Sequence, residues 1–168
     1  LGDSASDTRV IRIFSQTLSD LAEGEMLQLQ KAQKGDTDID DYLRIIYNKT
    51  ASLFEAACLS SAVSVCASKE KEDAAKSYSK ALGLAFQIKD DILDYSGTDS
   101  VGKPLGVDVL EQKITLPMLA ALSNVTDAEA AVVRGKIRDI VSHPEYRDEL
   151  VSFVRSNGGI EGAVRQLD

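Results

Sequence analysis

Apolar positions along the chain recur at three- and four-residue steps, and no strict alternation of apolar and polar residues lasts more than a few positions. From about Asp7 to Lys34 the run Val10, Ile13, Phe14, Leu18, Leu21, Met26 and Leu29 has the period of an amphipathic helix, and Gly35 is a suitable stop. Residues 1–6 are small and polar and are expected to fray. Asp36–Asp41 has the alternating acids of a calcium loop, but Asp41 and Tyr47 stand where such a loop needs Gly and Glu. Thr37 or Asp38 capping the following helix is the better reading. That helix is predicted over about Ile39–Ser68, Lys69–Asp73 reads as a charged turn, and the next helix covers about Glu72–Tyr95. Ser96–Gln112 is loop by composition, with Gly97, Gly102, Pro104 and Gly106. Shorter helices follow at 115–122, 127–142, 147–156 and 160–166. Pro117 falls in a first turn, where proline is tolerated, and Thr126-Asp127-Ala128-Glu129 is a capping box. His143, the single histidine, precedes Pro144 with no acid or nucleophile arranged around it, so it reads as a turn residue rather than a base. The expectation is one all-α domain over residues 1–168, an antiparallel helical bundle.

One stretch departs from ordinary amphipathicity. In Gly83–Asp94, read at roughly 100° per residue, Gln87, Asp90, Asp91 and Asp94 fall within a stripe about 100° wide, with Gly83 on it. Leu82, Ala85, Phe86, Ile88, Ile92 and Leu93 fill most of the rest, and Lys89 is the exception. A surface helix has the opposite proportions, so these acids are expected to look into a lined cavity. Asp90 and Asp94 repel as i,i+4 neighbours, and Mg²⁺, which takes one or two carboxylates together with phosphates and water, suits them. The plain alternative is a solvated acidic face. Lys49 is either a stem snorkelling to solvent or, with the Thr50 hydroxyl, a phosphate-binding pair. Lys103 and Lys113 come from the loop after the acids and could reach phosphate oxygens, and Asp108 could reach a metal or its water; incidental lysines on a solvated loop are the alternative. Gly97-x4-Gly102-Lys103 is close to a nucleotide P-loop, but Pro104 replaces its hydroxyl residue and the preceding segment is helical, which rules it out.

Composition narrows the partners. The chain has 168 residues and a formal net charge of −8, which argues against a nucleic-acid partner. Cys58 and Cys66 on one helix would sit roughly 12 Å apart, too far to bridge, and read as small buried hydrophobes in a reducing, cytoplasmic setting. There is no signal peptide pattern. Ala51–Ala67 is short and Ser-rich, a core helix rather than a transmembrane segment.

Several blocks together resemble the trans-type polyprenyl diphosphate synthases. Phe86-Gln87-x-x-Asp90-Asp91-x-x-Asp94 is similar to that family's second aspartate-rich motif. Gly102–Asp108 and Glu111–Pro117 look like the segment following it, Lys49–Phe54 resembles the Lys-Thr motif, and Glu23–Gln28 resembles the stretch before that, with a leaning towards the longer-chain octaprenyl type. The resemblance implies the isoprenoid-synthase bundle and head-to-tail condensation of an allylic diphosphate with isopentenyl diphosphate, in a homodimer. In those terms Asp90, Asp91 and Asp94 would be the Mg²⁺ residues. Lys49, Lys103 and Lys113 would hold the allylic diphosphate, with Lys49, Asp90 and Lys103 as the catalytic set. Thr50 and Gln87 would orient substrate, and Phe86 would line the reaction cavity.

The chain also departs from the family pattern. The family's first aspartate-rich motif with its paired arginines is not found; Asp40-Asp41-Tyr42-Leu43-Arg44 lacks the last acid, and no Arg-Arg pair occurs. The chain therefore reads as the C-terminal half or so of a synthase, inactive by itself. A non-catalytic helical subunit of a heteromeric synthase and a terpene cyclase-like enzyme are the rival readings.

Overall fold

The computed structural model describes residues 4–96 and 105–167, with side chains from Thr8 onward. Among them every regular element is helical: α1 (Ser4–Lys34), α2 (Ile39–Ile46), a π-helical turn (Tyr47–Ala51), α3 (Ser52–Ser64), α4 (Lys69–Ser96), α5 (Val107–Leu110), α6 (Leu116–Leu122), α7 (Asp127–Asp139), α8 (Tyr146–Ser156) and α9 (Gly159–Val164). The chain divides into two compact units, Leu1–Leu27 with Leu43–Gln87, and Gln28–Tyr42 with Ile88–Asp168.

The first unit packs on small residues. Ala51, Ser52, Ala56, Ser60 and Val63 are buried, as are Ser79 and Gly83 of α4. Arg9 of α1 forks onto the buried Glu72 of α4 with bonds of 3.0 and 2.6 Å. The predicted apolar stripe of α1 does not supply its packed face: Phe14, Leu18 and Met26 are exposed, and the buried positions are Thr17 and Gly24. The helix from Ile39 to Ser64 is unbroken but not α-helical throughout. The Ser52 N–H bonds to the Tyr47 carbonyl five residues back, so the turn holds one residue more than an α-turn.

The helix also ends earlier than predicted. Ala67 N–H returns to the Ala62 carbonyl and Cys66 N–H to that of Val63, with Cys66 at φ 51°, a Schellman close with a non-glycine residue in the left-handed position. Lys69–Asp73 is therefore not a turn but the start of α4, where Glu70 and Glu72 favour the positive helix end. Cys66 is exposed and Cys58 only partly covered, so neither is the buried hydrophobe expected; both are free thiols.

The second unit holds the larger apolar core, in which Tyr95, Val109, Ile114, Met118, Ile137, Ile140, Leu150 and Val154 are buried together. Asp38 and Asp41 at the start of α2 exchange backbone-to-carboxylate bonds of 2.8 and 3.2 Å, so Asp38 is the cap. Gly35, at φ 67°, turns the chain after α1, and its carbonyl accepts from Arg134 at 2.9 Å. The capping box at Thr126 and Glu129 forms as predicted. Val107–Leu110, read as loop, is a short helix entered through Gly106 at φ 69°. α7 stops at Asp139, three residues before its predicted end. His143 lies in a turn with its ring stacked on Tyr146.

Candidate functional site

The acid-bearing end of α4, from Ile88 on, is part of the second unit and is tied down within it. The Asp94 carbonyl accepts from Gly106 N–H at 3.0 Å, and the Tyr95 carbonyl accepts from Arg155 at 2.7 Å. These bonds satisfy carbonyls that a helix end leaves unpaired.

The three acids there have different surroundings. Asp90 is exposed and makes no hydrogen bond or ion pair with another described residue. Asp91 is buried, and its Oδ2 accepts from the Tyr42 hydroxyl at 2.7 Å. Asp94 is half-buried, and its two oxygens accept from the N–H groups of Val107 and Asp108 at 3.1 and 3.2 Å. Burial pushes the Asp94 carboxyl above the usual range; the two N–H bonds and Lys113 pull it back, and Asp90 pushes it up again. Asp108 is raised first by burial and then by Asp94, against the pull of Lys113. Lys113 is 3.3 Å from Asp108 and also pairs with Glu111. Burial lowers its ammonium, but these two acids raise it further, leaving it above its ordinary value.

The Lys-Thr pair belongs to the first unit and falls inside the π-helical turn. Thr50 Oγ1 donates to Gln87 Oε1 at 2.7 Å. Lys49 is largely covered and pairs with Glu25 Oε1 at 2.9 Å, so its stem does not simply run out to solvent. Phe86 is 57% exposed, its ring centre 5.5 Å from that of Phe54.

The structure thus brings Thr50 to Gln87 within one unit and Asp94 to Asp108 and Lys113 within the other. Lys103 lies outside the described residues, as do Gly97, Gly102 and Pro104 of the loop. Tyr42 and Glu25 were not singled out by sequence. Tyr42 occupied an apolar position of a helix and Glu25 one of many charged positions, and neither carries a local signal of its partner. A cavity of about 280 Å³ in the second unit is lined by Ile39, Leu116, Leu119 and Arg165 among others, and by none of the acids.

Among the described residues no group of three His, Cys, Asp or Glu side chains is placed to hold a metal ion together. Mg²⁺ needs less, since one or two carboxylates with water and phosphate oxygens complete its shell. Asp90 and Asp94, one turn apart on α4, are donors of that kind. Each Asp94 oxygen accepts one backbone N–H and keeps a further lone pair.

Residues 1–154 match the polyprenyl synthetase family. The chain is 38% identical over 135 residues to the octaprenyl diphosphate synthase of Escherichia coli (strain K12), covering 80% of this chain and 42% of that protein. It superposes on the geranylgeranyl pyrophosphate synthase of Bacteroides thetaiotaomicron with a TM-score of 0.83 at 42% identity, over 94% of this chain and 52% of that one. On the polyprenyl synthase from Caulobacter crescentus CB15 complexed with calcium and isoprenyl diphosphate, the TM-score is 0.82 at 32% identity, over 95% and 49%. The chain spans about half the length of the curated relatives it matches.

Proposed function

The chain belongs to the polyprenyl synthetase family, and on that premise we propose that the protein condenses an allylic diphosphate with isopentenyl diphosphate to extend a polyprenyl diphosphate. The allylic C–O bond breaks with its electron pair leaving on the diphosphate. The double bond of isopentenyl diphosphate attacks the resulting cation, and a proton is lost from the adduct. The difficult part is the charge gathered on the departing diphosphate.

The observation that carries this reading is the pairing of Thr50 with Gln87 at 2.7 Å, on the helix that also bears Asp90 and Asp94. Lys49, Lys103 and Lys113 supply fixed positive charge to the diphosphate. Thr50 and Gln87 orient the allylic end, and Phe86 offers an aromatic face to the prenyl chain and its cation. Asp90 and Asp94 would supply carboxylates to Mg²⁺. Asp91, held by the Tyr42 hydroxyl, would be a further direct or water-mediated partner of the ion. When bound, Mg²⁺ neutralises diphosphate charge as a Lewis acid. The calcium and isoprenyl diphosphate named for the Caulobacter protein support a divalent cation as the companion of such a ligand. The homodimer and a cytoplasmic location belong to the same proposal; the two free cysteines fit a reducing compartment. Among the described residues no helix is long and apolar enough to cross a membrane.

The test uses the protein as expressed from its gene, with labelled isopentenyl diphosphate, an allylic diphosphate and MgCl₂. Expected are labelled products longer by five-carbon units, lost on adding EDTA or on Asp90→Asn. No incorporation by the unaltered protein would overturn the reading. The encoded residues upstream of Leu1 give a second check, since a further DDxxD followed by paired arginines is expected there.

A further inference from the structure

The π-helical turn that carries Lys49 and Thr50 is gripped from two sides by glycines in the interiors of long helices. A Cβ on Gly83 of α4 would stand 2.6 Å from Ala51 Cα and 2.9 Å from Ala51 Cβ. A Cβ on Gly24 of α1 would stand 2.8 Å from Asn48 Cβ and 2.9 Å from Lys49 Cγ. No real side chain tolerates the first approach, because Ala51 Cα is backbone and Ala51 is fully buried. Both glycines lie in regular helix, where the residue weakens the element and is explained by close packing rather than by its backbone freedom.

Each glycine also neighbours the group that holds a side chain of the turn. Gly24 precedes Glu25, which pairs with Lys49. Gly83 lies one helical turn before Gln87, which accepts from Thr50. The bare backbone at each contact therefore sets how deeply the turn seats, beside the polar group that the side chain of the turn meets.

We propose that Gly24 and Gly83 are positioning residues: together they seat the widened turn Tyr47–Ala51 and so fix the reach of Lys49 and Thr50 towards substrate. The kinetic consequence rests on the prenyl-transfer reading above; the seating itself does not.

The experiment compares Gly83→Ala, Gly24→Ala and Gly135→Ala in the protein as expressed from its gene. Gly135, in α7, serves as control, since an added Cβ there meets nothing nearer than Arg138 Nη2 at 3.9 Å. Amide hydrogen exchange over residues 47–52 is measured alongside kcat and KM for each diphosphate. Gly83→Ala is expected to speed exchange in that segment and to lower kcat/KM for the allylic diphosphate by on the order of 10–100-fold, the scale of a small misplacement of a positioning group. KM for isopentenyl diphosphate should hold. Gly24→Ala should act in the same direction but less, because its two closest approaches are to side-chain atoms and the backbone Lys49 N lies farther off, at 3.2 Å. Gly135→Ala should change neither measurement. Unaltered exchange and kinetics in Gly83→Ala overturn the proposal; should that variant not fold, the same result in Gly24→Ala overturns it. If the unaltered protein transfers no prenyl group, the functional reading fails while the exchange comparison still decides the seating.

Discussion

The Tyr42 hydroxyl donates to Asp91 Oδ2 at 2.7 Å, and both side chains are at most 3% exposed. One step away on α4, Asp90 is in solvent. Two neighbouring aspartates of one motif thus have different tasks. Tyr42→Phe removes a donor from a buried carboxylate, and we expect a loss of about 1–3 kcal/mol by urea denaturation. Asp90→Asn should leave stability within about 0.5 kcal/mol, as surface changes do. It should weaken Mg²⁺ binding by at least the roughly tenfold that loss of an outer-shell partner costs. Equal stability losses in the two variants would contradict this division.

Lys49 sits 2.9 Å from Glu25, whose side chain is 57% exposed. A pair so open to water contributes about 0–1 kcal/mol, so Glu25→Gln should barely move the thermal midpoint. It also removes a competitor for the Lys49 ammonium. The expected result is an unchanged or lower KM for the allylic diphosphate, whereas Lys49→Met raises it. A higher KM in Glu25→Gln would show that Glu25 aims the lysine at substrate rather than parks it.

Asp108 binds its proton more tightly in the folded chain than in the unfolded one, chiefly through burial and then through Asp94. Between the ordinary carboxylate value of about 3.9 and the raised one, the folded state carries more protons, so this group's contribution falls as pH rises through that window. Asp108→Asn keeps an acceptor for Lys113 and removes the titration. Its thermal midpoint should therefore gain on that of the unaltered protein as pH rises above about 3.9. A difference that stays constant over that rise would sink the assignment.

Cys66 holds φ 51° at the close of α3, a conformation in which an L side chain meets its own backbone. Glycine there should stabilise the fold by about 1 kcal/mol. The converse exchange, Gly135→Ala in the interior of α7, where a Cβ has room, should add about 0.5–1 kcal/mol by helix propensity. Chemical denaturation of the two variants checks both, and a loss of stability in either would refute its local argument.

What the sequence by itself determined is whatever repeats within one segment. The three- and four-residue spacing made the chain helical, Gly35 and the Thr126–Glu129 box marked a stop and a start, and the row Gln87, Asp90, Asp91, Asp94 was legible because helix geometry alone puts those residues on one stripe. The Lys49-Thr50 and Asp90–Asp94 blocks were legible as a family resemblance, and the match over residues 1–154 bears out the family itself. Only the tertiary structure decided that α1 turns Thr17 and Gly24 inward and leaves Leu18 and Met26 outside, that the helix through Lys49 widens for one turn, and that Asp91 is bonded to Tyr42. The physical reason is separation along the chain. Period and propensity are sums over neighbours, whereas Tyr42 and Asp91 are 49 residues apart and Thr50 and Gln87 are 37. No local rule selects one partner among many at such distances; packing between segments far apart in the chain does.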